Sequence, residues 1–197
     1  GCRPAPTWSS WWPRGGWCAS MTAGRRQADV LAALIVLLAE LGEELAAAGG
    51  RGELFVVGGA AMALAYSARR LTSDVDAVFE PKTVVYDAAR VVAERHGLKP
   101  DWLNDGVKGL LPGPDEAPRE VLDLHGLSVS VPSPQYLLAL KVAASRVDRD
   151  ADDIELLARA CGVTTAAEVL DIASSVMGAG RLPPKAQFMV QELFPDR

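Results

Sequence analysis

Asp74 and Asp76 stand two residues apart in a run from Asp74 to Phe79 that alternates polar and apolar side chains. That alternation predicts a strand, and a strand places residues i and i+2 on one face. Two carboxylates held together repel unless a cation lies between them, and a pair of hard oxygen ligands suits Mg²⁺ or Mn²⁺, which completes its shell with water and phosphate. Val75 and Ala77 are expected to face the other way, into the core. Upstream, Gly58-Gly59 interrupts the apolar run Leu54 to Val57 before a series of helix formers, Ala60 to Ala68. Glycines there let the backbone approach a phosphate, and the helix N-terminus offers unpaired N–H groups and positive potential. Taken singly, Gly-Gly is an ordinary turn and Asp-x-Asp an ordinary solvated strand face. In this order and spacing they form a phosphate cradle followed by metal ligands.

The elements that must position these residues follow from periodicity. A long helix is predicted over Gln27 to Ala48, ended by Gly49-Gly50. Next come a strand over Leu54 to Val57, the helix from Ala60, the Asp74 strand and a helix over Thr83 to Arg95. Trp102 to Pro118 reads as loop, and Val121 to Leu124 with Leu127 to Val131 as a hairpin around His125-Gly126. Pro134 to Arg146, Ala151 to Ala160 and Thr165 to Val176 read as three helices. The expected architecture is α/β (α+β): a small mixed sheet with flanking helices over residues 21–132, then a C-terminal helical part over 133–197. Residues 1–20 hold Trp8, Trp11, Trp12 and Trp17 among Pro, Gly and Ser. They are expected to be a non-structural extension, with native translation starting near Met21.

Hydrophobic residues make up 49% and charged residues 23% of the 197, an ordinary globular composition. A formal net charge of −5 argues against nonspecific coating of nucleic acid but leaves room for a local basic patch. Cys2, Cys18 and Cys161 show no metal-ligand spacing with His96 or His125, which points to a reducing, cytoplasmic setting without disulfides or zinc. Cys161 reads as a small buried hydrophobe. No apolar run is long enough to span a bilayer.

The stretch VVGGAAMALAYSARRLTSDVDAVFEP resembles the nucleotidyltransferase superfamily related to DNA polymerase beta. More closely it resembles the toxins of AbiE-type (type IV) toxin–antitoxin systems and the MenT group. Their pattern of Gly-Gly, a helix and Arg-x-Ser/Thr-x-Asp-Ile/Val-Asp is met by Gly58, Gly59, Arg70, Thr72, Asp74 and Asp76. A second stretch, SPQYLLALKVAASRVDRDADDIELL, resembles the helix that bears a lysine in this family and the Arg/Lys-Asp-x-x-Asp-Ile block after it. Lys141, Arg146, Arg149, Asp150 and Asp153 stand at the matching positions.

The resemblance implies roles for these residues. Gly58, Gly59, Arg70, Thr72, Ser73 and Arg146 belong beside the nucleotide, with Arg69 and the weaker candidate Lys108 gripping triphosphate or acceptor. Thr72 is otherwise a plain strand-entry threonine, although some relatives are modified at this position. Lys141 sets a positive charge against the triphosphate; the alternative is a surface lysine on an apolar helix. Asp153 either orients Lys141 or an arginine, or forms an i, i+4 ion pair with Arg149. Asp123 is the best candidate for the third carboxylate common in the superfamily, because it lies on a predicted strand between apolar neighbours. If buried there it must be paired or bind a metal, and in the site it would bind metal or act as general base on the acceptor hydroxyl. His96 caps a helix and His125 sits in a turn; neither has catalytic partners.

The resemblance therefore implies transfer of a nucleoside monophosphate from an NTP, CTP or UTP in particular, to the 3′ end of tRNA. A toxin of this kind implies a co-encoded antitoxin protein. Two other readings stay open: the same chemistry on a small molecule or protein hydroxyl, and a nucleotide-binding regulatory module without turnover. A basic patch of Arg69, Arg70, Lys141, Arg146 and Arg149 favours RNA; scattered charges favour the rivals.

Overall fold

Burial divides the central sheet into two unlike faces, and that asymmetry organises the molecule. The computed structural model describes residues 23–66, 74–178 and 180–195. The expected extension over 1–20 lies outside the described residues, as do Arg69, Arg70, Thr72 and Ser73. In chain order the elements are α1 (Ala23–Ala47), β1 (Gly52–Val56), α2 (Gly58–Tyr66), β2 (Val75–Glu80), α3 (Lys82–His96), β3 (Leu103–Asn104), β4 (Arg119–Leu124), β5 (Leu127–Val131), α4 (Pro134–Ala144), α5 (Val147–Cys161), α6 (Ala166–Met177) and α7 (Pro184–Leu193).

The five strands are ordered β3-β2-β1-β5-β4. β1 runs antiparallel to β2 and parallel to β5, β2 is parallel to β3, and β4 closes an antiparallel hairpin with β5. One face carries Leu54, Val56, Val75, Ala77, Phe79, Leu127, Val129 and Val131, all buried. On the other face stand Glu53, Phe55, Asp76, Val78, Glu80, Ser128 and Ser130, none of them fully buried. The period-two pattern thus divides the sheet into a core face and a more open one, on which Phe55 packs edge-on against Tyr136 of α4 at 6.2 Å between ring centroids.

α1 covers the closed face with Leu34, Leu37, Leu38, Leu41 and Leu45, a helical stripe of apolar side chains. It approaches the β4–β5 turn backbone to backbone. A Cβ on Gly42 would stand 2.3 Å from the His125 carbonyl oxygen, and one on Gly126 would stand 2.2 Å from that of Gly42. α3 lies beside α1, where Arg95 bridges Glu40 and Glu44 and His96 Nε2 lies 2.9 Å from Glu40. Burial pushes the Glu40 carboxyl up, but hydrogen bonds from His96 and Arg95 outweigh it and hold Glu40 below its ordinary value.

The C-terminal part is helical, as expected, but differs in detail. Ser133 caps α4 by accepting from the Tyr136 N–H at 3.3 Å, with Pro134 in the first turn. The helix predicted over Pro134 to Arg146 ends at Ala144, because Ser145 adopts φ 50 and turns the chain back into α5. Thr165 and Glu168 form a capping box for α6. The last helix, α7, has no counterpart among the expected elements; it buries Ala186, Met189 and Val190. Among the described residues, no helix is long and apolar enough to cross a membrane.

Candidate functional site

The end of β1 and the start of β2 bring the two motifs together. The Val57 N–H donates to the Asp76 carbonyl at 2.9 Å, which extends the β1–β2 pairing to the glycines. Gly58 has φ 64 and opens α2, so the Gly-Gly pair forms the first residues of the helix itself. A Cβ built on Gly58 would lie 3.5 Å from Asp76 Oδ2. The carboxylate therefore lies at the helix entrance, where the positive φ favours glycine. Val75 and Ala77 point into the core at 4% and 0% exposure, leaving Asp76 half-buried on the open face. Asp74 is half-buried in a bend one residue before the strand. Among the described residues, Asp76 makes no hydrogen bond or ion pair through its carboxylate, and no group of three or more His, Cys, Asp or Glu gathers as a metal site.

β3 adds a side chain from a segment that reads as loop in the sequence. It pairs Val75 with Leu103 and Asp76 with Asn104 in parallel register. Leu103 is fully buried, so Asn104 shares the open face with Asp76 on the adjacent strand. The strand is pinned at both ends. Before it, the Trp102 carbonyl accepts from the Val75 N–H at 2.6 Å, and Trp102 Nε1 donates to the Ala89 carbonyl at 2.9 Å. After it, Asp105 accepts from Tyr86 Oη at 2.6 Å and pairs with Lys82. The Lys82 ammonium and the Tyr86 hydroxyl hold the Asp105 carboxyl below its usual range.

Lys141 forms a second cluster. Its Nζ lies 2.8 Å from Asp150 Oδ1 and 2.8 Å from Asp153 Oδ2, and all three residues are buried. The left-handed Ser145 reverses the chain between α4 and α5, which carries Asp150 and Asp153, one helical turn apart, back over Lys141. Of the two readings for Asp153, the structure has it paired with Lys141. Asp150 stands in the same motif without an expected role; its i, i+3 spacing with Asp153 is the signal that marks both as facing one partner. The alternative of a surface lysine does not hold, since Lys141 is 9% exposed. Arg146 and Arg149 are exposed, so Lys141 forms no surface patch with them.

Asp123 requires a correction. It lies on the open face but on edge strand β4, with its side chain 66% exposed and paired with Arg51. Its row is Asp123, Ser128, Glu53 and Glu80, at the opposite end of β2 from Asp76. Strand spacing and rise put it on the order of 20 Å from Asp76. The apolar neighbours Leu122 and Leu124 belong to the other face of the hairpin, so they do not bury it. Lys108 lies at that same far end, 3.8 Å from Glu80. His96 contacts Glu40, and His125 Nδ1 lies 3.2 Å from Glu43 at the surface. Cys161 is half-buried, and burial pushes its thiol up.

No curated protein and no solved structure matches the chain. One family model does, over residues 32–160, from the middle of α1 to the last turn of α5. That span takes in both the Gly58–Asp76 site and the Lys141 cluster. The model is described as a nucleotidyltransferase of unknown function (DUF6036), and this chain belongs to that nucleotidyltransferase family.

Proposed function

We propose that this protein transfers a nucleoside monophosphate from an NTP to an acceptor hydroxyl, with pyrophosphate as the leaving group, at the Gly58–Asp76 site. The observation that carries this reading is the Asp76 carboxylate lying over Gly58 at the entrance to α2. The donor set fits a hard divalent cation. Asp76 has no competing partner among the described residues, and Asp74 precedes it by two positions. Two carboxylates suffice for Mg²⁺ or Mn²⁺ when substrate phosphates complete the shell. The metal, when bound, supplies positive charge to the attacking and leaving oxygens. Asp74 and Asp76 hold it. Gly58 and Gly59 leave room for the phosphates against the helix amides.

The remaining assignments rest on the resemblance. Lys141, fixed by Asp150 and Asp153, faces the triphosphate with its third N–H. Arg70, Thr72, Ser73 and Arg146 line the nucleotide. The donor is CTP or UTP, the acceptor the 3′ end of tRNA, and the chain a toxin restrained by a cognate antitoxin. A second reading, transfer to a small molecule or protein hydroxyl, is favoured by one observation. The open face of the sheet carries Glu53, Glu80, Glu120 and Asp123, which repel a polyanion.

Incubation with labelled NTPs, Mg²⁺ and total tRNA tests both. Label on tRNA that falls about a thousandfold in Asp76→Ala is the expected result. Label on protein or a small molecule keeps the chemistry and replaces the acceptor. No label on any acceptor overturns the proposal and leaves a binding module.

A further inference from the structure

On the open face, Asp76 has one cross-strand neighbour on the β3 side, Asn104, and the chemistry of that amide is constrained. The Gly106 N–H donates to Asn104 Oδ1 at 3.1 Å. A backbone N–H requires an oxygen acceptor, so this bond fixes which end of the amide is which. The two N–H donors of Nδ2 are left over, and among the described residues they have no hydrogen-bond partner. Across a parallel pair, side chains on one face start about 4.8 Å apart. Asp76 does not take up the neighbouring donors; its Oδ2 lies over Gly58, on the β1 side of the strand. A carboxylate without a partner and an amide donor without an acceptor thus stand side by side, opening onto the same surface.

We infer that Asn104 Nδ2 donates to an oxygen of the nucleotide triphosphate bound at the Asp74–Asp76 site. This deepens the proposed function and rests on it. An anionic ligand suits this pairing of groups. A cation held by Asp76 draws phosphate oxygens to it, and a neutral donor beside them adds a charge-assisted hydrogen bond without competing for the metal. The presentation is rigid. Trp102 and Leu103 anchor β3 in the core, and Asp105 ties its other end to Tyr86 and Lys82 on α3. A donor on so short a strand keeps its aim only because both flanks are tied down.

Equilibrium binding of CTP and of UTP, each with Mg²⁺, to the full chain tests this without depending on the acceptor. Asn104→Ala is expected to weaken NTP binding about tenfold or more, while binding of the unphosphorylated nucleosides is unchanged. Asn104→Asp separates ligand binding from a purely structural turn. It keeps the oxygen that accepts from Gly106 but replaces the donor with an anion, so it is expected to weaken NTP binding at least as much as alanine. Asn104→Asp that binds like wild type, with only Asn104→Ala impaired, assigns the residue to the turn and overturns the inference. Equal NTP binding by all three proteins also overturns it, and the nucleotidyl-transfer reading survives. A wild-type chain that binds neither NTP defeats both. Thermal melts of both variants report whether the fold is intact.

Discussion

Two groups of charged residues in this molecule live under opposite conditions. At the start of β2, Asp76 is half-exposed and has no partner among the described residues. Between α4 and α5, Lys141, Asp150 and Asp153 are buried and bonded to one another at 2.8 Å. The first group is stable without a partner because water reaches it, and it is open to a ligand for the same reason. The second is tolerated in the interior only because each charge answers another. Burial and pairing therefore separate a charge left open to a ligand from one that is first held in place, as Lys141 is by Asp150 and Asp153.

Breaking the buried cluster gives the largest stability effect. Lys141→Met leaves two carboxylates in the interior without their cation, and unfolding in urea should show a loss of about 3–5 kcal/mol. On the proposed function the same variant also binds NTP more weakly; a Lys141→Met protein as stable as wild type would erase the contrast between buried and exposed charge. A smaller effect is expected between α1 and α3. Glu40 titrates below its ordinary 4.5 in the folded chain, so its contribution is present above that value. It is lost as pH falls through the folded pKa. The pH dependence of the urea midpoint between pH 6 and 3 should flatten in Glu40→Gln, by less than about 1 kcal/mol for so exposed a network. Smallest of all is Asp123→Asn, which removes only a solvent-exposed pair with Arg51. It should change stability by no more than about 0.5 kcal/mol and leave NMP transfer untouched. A hundredfold fall in transfer would restore Asp123 to the metal site and contradict its place at the far edge of the sheet.

What is legible in the sequence is whatever has a long enough period or a rigid enough motif. The apolar stripe of α1, the alternation through Val75, Ala77 and Phe79, and the glycine break before α2 all declare themselves locally. So does the apposition of Gly58 with the aspartate strand, because one helix must return the chain. Asn104 is not legible: a two-residue strand has no period, and its place beside Asp76 is created by pairing across the chain. Asp123 misleads for a related reason. Alternation shows that neighbours face opposite ways, but not whether the polar face is covered, nor which end of which strand meets the site. α7 escapes because prolines at 183 and 184 read as loop, although Pro184 sits in the first turn of the helix, where proline is tolerated.

The division of the sheet into a sealed face and an open one has a kinetic consequence. α1 lies so close to the β4–β5 turn that Gly42 and Gly126 leave no room even for a methyl group. On the proposed chemistry the acceptor hydroxyl attacks the NTP directly, with no covalent enzyme intermediate, so donor nucleotide and acceptor must be present together. Whichever binds first narrows the path of the second. In the language of rate laws this is a sequential scheme through a ternary complex, with the order of addition set by which substrate lies deeper against the strands.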